Sequence, residues 1–269
     1  MIRLDRFVAE TTEMTRSVAS KAIRGGQVSV NNTIVRLPEM KIDEDADVVL
    51  VGGKECLYHR FRYLMLDKPT GVITASRDRR QETVLDLLPA ELRRLGLFPV
   101  GRLDKDTSGL LFLTNDGEFA HRIISPRYAV SKVYYATVAL ALSADAQEQF
   151  KQGIKLADGT QCLPAELELL EHNACRVTVQ EGKYHQVRRM LAAVGSPVVT
   201  LRRLSIGGVE MDPAIGAGGW RDLEEQELCI LFKLIHMEKE SKTVAVKSAF
   251  LTGLEIHLKK FTKIRCIFY

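Results

Sequence analysis

The apolar residues near the start of the chain recur at the spacing of two short amphipathic helices. They are Leu4, Phe7 and Val8 in the first helix, and Val18, Ala22 and Ile23 in the second. Thr15 is a suitable N-cap for the second helix, and a Gly-Gly pair ends it. Short β-branched runs then flank Asn31 and Asn32, which predicts a hairpin with a tight turn. Residues 3–35 are therefore expected to form two helices followed by a hairpin.

The most informative pattern lies in residues 98–121, which read FPVGRLDKDTSGLLFLTNDGEFAH. The Gly-Arg-Leu-Asp segment at 101–104 has no helical period, whereas residues 110–113 form an apolar run typical of a buried strand. Turn residues follow this run, and a helix with Phe119 on its apolar face is expected after them. Asp104 is thus predicted on a loop directly before a rigid strand, where catalytic groups concentrate. A loop Asp is more often a turn former, so this context alone leaves both interpretations open.

The rest of the chain alternates between shorter strands and helices. Apolar runs that predict further strands occur at residues 63–66, 132–140, 164–170 and 174–179. A polar linker is expected at 52–62, one or two helices at 83–95, and another helix at 144–153. Alternation along the strand at 132–140 places Tyr134 and Tyr135 on opposite faces, so only one of them can face a site.

Composition excludes several classes of protein. No apolar run approaches the roughly eighteen residues that cross a membrane, and the acidic, amphipathic N-terminus does not read as a secretory signal. The five cysteines are scattered, with no C-x-x-C, which favours reduced thiols in a cytoplasm over disulfides or a zinc site. The net charge of +4 is only weakly basic and does not by itself indicate nucleic-acid binding.

Residues 101–117, GRLDKDTSGLLFLTNDG, resemble the central motif of the pseudouridine synthases that modify ribosomal RNA. The likeness is to the branch that includes the enzyme for uridine 516 of 16S rRNA and its 23S relatives. In this family the Asp of the motif is the essential catalytic residue, which implies that role for Asp104. Residues 63–72, YLMLDKPTGV, resemble the family's K-P-x-G motif, and we interpret Lys68 as mainly structural.

Two further motifs of the same family imply partners for Asp104. The family's K-x-Y pattern selects Tyr134, whose ring could stack on an extruded base and whose hydroxyl could move a proton. Residues 181–190, EGKYHQVRRM, resemble a motif whose basic residue pairs with the catalytic Asp, which implies Arg188. Arg suits that pairing because its planar, permanently charged fork matches a carboxylate. No second ligand stands three or four residues after His185, so no metal site is predicted.

The first fifty residues resemble an S4-type RNA-binding domain. Arg16, Lys21 and Arg24 form a basic strip opposite the apolar side of the second helix, and such strips contact phosphates without reading sequence. A solvated helix face is the ordinary alternative. The resemblance implies an α+β fold, with a catalytic domain built on a curved, mixed, mostly antiparallel sheet. The predicted domains are 1–58 (S4-type), 59–231 (catalytic) and 232–269 (a basic extension of unknown role).

The sequence thus predicts site-specific isomerisation of a ribosomal RNA uridine to pseudouridine by a cytoplasmic monomer that needs no cofactor. The predicted RNA contacts are Arg3, Arg6, Arg16, Lys21, Arg24, Arg102, Lys132, Lys183, His185 and Arg189. The favoured partner is 16S rRNA, free or within a pre-ribosomal particle, and 23S rRNA is the near alternative. A non-catalytic ribosome-assembly factor is the alternative of another class, which the presence of Asp104, Tyr134 and Arg188 disfavours.

Overall fold

The computed structural model describes residues 1–56, 58, 60–171 and 173–237 of the chain. Its N-terminal unit packs two helices against short strands. The elements of this unit are β1 (Ile2–Arg3), α1 (Leu4–Thr11), α2 (Arg16–Arg24), β2 (Val28–Val30), β3 (Thr33–Ile34), β4 (Lys41–Ile42), β5 (Val49–Val51) and β6 (Lys54–Cys56). The strands pair as β1 with β4, and in the order β3-β2-β5-β6.

Most local predictions for this unit are confirmed. The hydroxyl of Thr15 caps α2 by accepting the amide of Val18, and Asn31 and Asn32 turn the hairpin with positive φ angles of 50° and 66°. Two details are wrong. Val18 is 49% exposed, because Ala19 lies on the buried face of α2 in its place. The expected linker begins too early, since the glycines after β5 form the turn into β6.

The second unit surrounds one large sheet. Its strands are β7 (Tyr63–Lys68), β8 (Phe98–Pro99), β9 (Thr107–Thr114), β10 (Lys132–Val138), β11 (Glu166–Leu170), β12 (Ala174–Val179), β13 (Val198–Ile206), β14 (Val209–Glu210) and β15 (Trp220–Asp222). Its helices are α3 (Ala90–Arg93), α4 (Gly117–Ile124), α5 (Ala146–Gln152), α6 (Gln186–Ala193) and α7 (Glu225–Leu234), with a 3-10 turn at Pro126–Tyr128. The helices expected at 83–95 reduce to α3 alone, with turns before it.

The large sheet has the strand order β11-β12-β10-β13-β9-β7-β15, with β14 beside β13 and β8 beside β9. The pairing of β9 with β13 is parallel, and the other pairings in this sheet are antiparallel. The fold is therefore α+β with a mixed, mostly antiparallel sheet, as the sequence predicted. Two cores cover its faces, because side chains along a strand alternate in direction. Leu111 and Leu113 of β9 enter one core, and Leu110 and Phe112 enter the other.

The C-terminal end of the described chain packs in the core that contains Leu110 and Phe112. Helix α7 continues to Leu234, and Phe232 and Ile235 are buried there against α4 and β7. The predicted domain boundary at 231 therefore falls inside a packed helix. Residues 238–269, most of the predicted extension, lie outside the described residues. Among the helices that are described, none is long and apolar enough to cross a membrane.

Candidate active site

Hydrogen bonds to the residues that follow β7 hold the loop that carries Asp104 in place. The hydroxyl of Thr74 donates to the carbonyl of Leu103 at 2.7 Å and accepts the amide of the same residue at 3.1 Å. Gly101 opens the loop with a φ of 76°, a conformation that glycine adopts without strain. The amide of Gly71 also donates to the carbonyl of Lys105. The backbone on either side of Asp104 is thus held by hydrogen bonds before any substrate binds.

Lys68, at the end of β7, contributes most to holding this loop in place. Its side chain is fully buried, and its ammonium donates to the carbonyls of Pro69 (2.9 Å), Thr107 (2.9 Å) and Lys105 (3.4 Å). Burial lowers the pKa of Lys68 to about 8, while the charges of Asp106 and Asp104 oppose that shift. These contacts give Lys68 the structural role that the sequence predicted.

A cavity of about 640 Å³ opens beside Asp104. It is lined by Asp104 and Lys105 from the loop, Lys132 and Tyr134 from β10, Arg203 from β13, and Tyr184 and His185 from the segment before α6, among others. Its volume lies in the range of small-molecule and cofactor sites, so one nucleotide fits it. The Asp104 side chain is 32% exposed and therefore reachable from the cavity. Two of the three predicted catalytic residues, Asp104 and Tyr134, line this cavity.

His185 is the basic side chain in contact with Asp104. Its Nε2 lies 3.3 Å from Oδ1 of Asp104, and its backbone has a positive φ of 49° at the start of α6. The ring of Tyr184 stacks on the imidazole with centroids 3.9 Å apart and an interplanar angle of 17°. Tyr184 is itself 76% exposed, so an aromatic face stands at the mouth of the cavity.

The predicted pairing of Arg188 with Asp104 is not made in this structure, where Arg188 contacts Asp106. Nη2 of Arg188 lies 2.9 Å from Oδ2 of Asp106 and donates to the carbonyl of Asp106 at 3.2 Å. His185 directly precedes α6 and Arg188 lies in its first turn, and the two side chains reach the loop at different carboxylates. The imidazole contacts Asp104, and the guanidinium extends to Asp106. Arg188 is thus placed to hold the loop, and it does not touch Asp104.

Tyr134 and Arg203 form a cross-strand pair in the wall of the cavity. They are register partners in β10 and β13, and Nη1 of Arg203 lies 3.3 Å from the tyrosine hydroxyl. Tyr134 points inward and Tyr135 does not, which confirms the predicted alternation. Sequence reasoning missed Arg203. Alternation through the LRRL segment of β13 could have found it, because it turns Arg202 toward Asp67 and the next arginine into the core.

Eight of the ten residues predicted to contact RNA fall into three groups. Arg102, Lys132, Lys183 and His185 line the cavity, where Lys132 is buried instead of lying on the outer surface. Arg189 lies outside it and pairs with Asp158 at 2.5 Å. Arg3, Arg6 and Arg16 line another cavity, of about 800 Å³, between the two units.

The cations of the N-terminal unit also differ in whether they bind a carboxylate of the protein. Arg3 and Arg16 both bind the buried carboxylate of Asp5, and these contacts lower its pKa to about 2. Lys21 and Arg24 are exposed on α2. The predicted basic strip is therefore present, but its first member is partly neutralised.

Comparison with known proteins assigns the chain to one class of enzyme. A model of the RNA pseudouridylate synthase family matches residues 62–193, and an S4 domain model matches residues 2–48. Similarity to individual proteins extends well beyond these segments. The chain is 39% identical over 234 residues to the uncharacterized RNA pseudouridine synthase YtzG of Bacillus subtilis (strain 168), covering 86% of this chain and 98% of that protein.

Other relatives agree with this assignment. The chain is 40% identical over 228 residues to the ribosomal small subunit pseudouridine synthase A of Escherichia coli (strain K12), covering 84% of this chain and 98% of that protein. A crystal structure of a pseudouridylate synthase aligns with a TM-score of 0.61 and 36% identity, over 86% of this chain and all of that one. The chain belongs to the RNA pseudouridine synthase family and carries an N-terminal S4 domain, as its motifs predicted.

Proposed function

We propose that this protein converts one uridine of ribosomal RNA to pseudouridine, with Asp104 as the catalytic carboxylate. The observation that carries the proposal is that Asp104 and Tyr134, from separate elements, line one cavity of nucleotide size. The likeness to proteins named ribosomal small subunit pseudouridine synthase A supports a ribosomal RNA substrate and favours the small subunit. The remaining cations of the cavity and the strip on α2 would hold the phosphate backbone of the RNA.

The reaction exchanges one bond of the substrate for another. The N1–C1′ bond breaks, the uracil turns, and a C5–C1′ bond forms while the proton on C5 is lost and N1 gains one. The target base must first leave its stack to enter the cavity. Asp104 can then attack the anomeric carbon, stabilise positive charge there or assist proton removal. Tyr134 would pack against the base and serve in proton transfer, and Arg188 would act as a positioning residue through Asp106. Because the isomerisation is redox-neutral, this scheme includes no cofactor.

The proposal extends to the target and the setting. Small-subunit 16S rRNA, and within it uridine 516, is the favoured target, and a 23S uridine is the alternative. We propose that the protein acts as a cytoplasmic monomer on free rRNA or on a pre-ribosomal particle. A non-catalytic assembly factor would explain the S4 domain, but it would not explain the Asp104 loop, which is held in place by Lys68 and Thr74.

The direct test maps pseudouridine in ribosomal RNA from cells with and without the protein, using carbodiimide adducts and primer extension. Loss of one 16S stop would support the proposal and identify the site. Loss of a 23S stop would retain the chemistry and change the target. No change in either subunit would reject a ribosomal RNA substrate.

Asp104→Asn is the matching test with purified protein and 16S rRNA. This variant should form no detectable pseudouridine, while its affinity for RNA stays within about twofold, because the amide keeps the shape but removes the carboxylate charge. Asp106→Asn is the matched control two residues away. Its side chain is exposed and contacts Arg188, so it should retain activity within about tenfold. Substantial turnover by Asp104→Asn would reject Asp104 as the catalytic carboxylate.

A further inference from the structure

Two cations are buried in the wall of the Asp104 cavity without an acidic partner. Lys132 is 9% exposed and donates to the carbonyl of Val130 at 2.9 Å. Arg203 is 3% exposed; its Nε donates to the carbonyl of Leu110, and Nη1 reaches the Tyr134 hydroxyl. Within the described part of the chain, no carboxylate pairs with either cation, and Nη2 of Arg203 is buried with no hydrogen-bond partner.

Such an arrangement is costly for a protein unless a ligand uses it. Buried charges are normally paired, and an unpaired one destabilises the fold. Burial and the charge of Arg203 lower the pKa of Lys132 to about 8, so it remains mostly protonated at pH 7. Asp104 is the only carboxylate among the described residues that line this cavity, against five Lys and Arg side chains. The buried end of the cavity therefore suits negative charge.

We propose that Lys132 and Arg203 bind the carbonyl oxygens of the target uracil and stabilise the negative charge that the detached base acquires. This inference rests on the proposed function. When the N1–C1′ bond breaks, its electron pair remains on N1, and the charge spreads over N1, O2 and O4. The charge returns to neutral when C5 bonds to C1′, the C5 proton leaves and N1 is protonated. Preorganised donors aimed at developing charge are a large source of catalysis, and these two are fixed in place by neighbouring strands.

The base is a better occupant than a backbone phosphate. Phosphates stay on the outside of the nucleotide, and exposed cations around the mouth of the cavity, such as Arg102 and Lys105, are available to them. Lys132 shares β10 with Tyr134, the residue proposed to pack on the base, and Arg203 is the register partner of Tyr134 in β13. Lys132 and Arg203 would therefore contact the same base as Tyr134.

Lys132→Met tests the proposal, because it removes the charge while keeping the length of the side chain. We expect kcat for pseudouridine formation to fall about 100-fold, in the range seen when one oxyanion donor is removed. KM and RNA affinity should stay within about twofold, and Tm should not fall, since an unpaired buried charge is removed. Lys151→Met, at an exposed position on α5, is the matched control and should be indistinguishable from the wild type.

A second measurement separates stabilisation of the leaving base from a structural effect. Fluorine at C5 makes uracil a better leaving anion, so RNA with 5-fluorouridine at the target depends less on the two cations. The loss in the single-turnover rate of glycosidic cleavage by Lys132→Met should be at least about tenfold smaller on this substrate. Arg203→Lys, which keeps the charge, should retain more activity than Arg203→Met.

Each contrary result has a distinct meaning. Unchanged kcat in Lys132→Met would overturn the proposal, and so would an equal loss on both substrates. A raised KM with a weaker salt dependence of RNA binding would mean that Lys132 holds a phosphate, which also overturns it. If the wild-type protein itself forms no pseudouridine, the proposed function fails, and that outcome is separate from those of the variants.

Discussion

At the scale of single residues, the site is built on buried polar groups whose ionisation is tied to stability. Lys68 and Lys132 are both enclosed, and burial lowers the pKa of each to about 8. Lys68 has three carbonyl acceptors around its ammonium, whereas Lys132 has one. Of these two lysines, Lys132 is therefore the one whose charge contributes less to the stability of the folded protein.

This difference predicts how the stability of a variant depends on pH. The pKa of Lys132 is lower in the folded protein than in the unfolded chain, whose value is near 10.5. Between about pH 8 and 10.5 the unfolded chain therefore binds more protons, and the free energy of unfolding of the wild type rises with pH. Lys132→Met removes that contribution. Its stability relative to the wild type should be greatest below pH 8 and decline by about 3 kcal/mol toward pH 10.5.

Urea unfolding of both proteins at pH 7 and pH 10 measures this change. Other titrating groups, including Lys68, are common to the two proteins and cancel in the comparison. A difference in stability that is the same at both pH values would show that Lys132 titrates alike in the folded and unfolded chains.

Residue-level chemistry was only partly predictable from the sequence. The position of Asp104 on a loop follows from local patterns and is correct. Alternation leaves open which of Tyr134 and Tyr135 faces inward, and the family resemblance selects Tyr134, which is the buried one. The partner of Arg188 does not follow from local patterns, because helix spacing says which side chains share a face and not which carboxylate each one reaches. Arg203 was missed because a charged residue in a strand is ordinarily exposed, although alternation along β13 indicates that one of its two adjacent arginines faces inward.

At the scale of secondary-structure elements, the central contact is the parallel pairing of β9 with β13. Gly109 makes that contact possible: a Cβ at this position would lie 2.2 Å from the carbonyl oxygen of Arg203. Its φ of 103° is also one that other residues rarely adopt. The glycine thus permits the close approach that joins the Asp104 loop to the strand of Arg203.

Gly109→Ala should lower the free energy of unfolding by about 3 kcal/mol or more, because it adds a steric clash to backbone strain. Gly159→Ala is the matched control, since Gly159 has a φ of 85° with open space where its Cβ would be. That variant should lose only about 1 kcal/mol from strain. Thermal unfolding of both variants checks the difference, and equal losses would mean that strain alone matters at Gly109.

The elements themselves were largely predictable where their patterns are long. The helices of the N-terminal unit, β7, β9 and β10 are present as expected, because caps, turns and apolar periodicity agree there. The prediction of one or two helices at 83–95 is only partly correct, because most of this segment forms turns whose apolar residues pack against the sheet. The pairing of β9 with β13 is not visible in any local pattern, because it depends on contacts between distant parts of the chain.

At the scale of the whole molecule, the chain has two units with separate cores. The ten buried apolar residues at the centre of the N-terminal unit form a cluster distinct from the two cores of the catalytic unit. Its exposed cations on α2 are therefore available for RNA without any change in the catalytic cavity. Binding and chemistry should then be separable by substitution.

Replacing Lys21 and Arg24 together by Ala should weaken binding of 16S rRNA. It should also reduce the slope of log K against log salt by about 1.5, if each cation neutralises one phosphate. The turnover of saturated enzyme should stay within about twofold. The control is the double substitution of Lys151 and Lys155 by Ala, which removes the same charge from exposed positions of the catalytic unit. RNA titrations at several salt concentrations measure the slope for both variants. If the Lys21/Arg24 variant has the same slope as the control, the strip is only a solvated face.

The pairing of β9 with β13 also sets the moment at which this enzyme becomes complete during its own synthesis. The two strands are separated by roughly ninety residues of chain, and β13 fills the position between β9 and β10 in the sheet. As the polypeptide leaves the ribosome, at about 5–20 residues per second, β9 and the Asp104 loop emerge several seconds before β13. A nascent chain therefore has its S4 domain before the wall of the Asp104 cavity is complete.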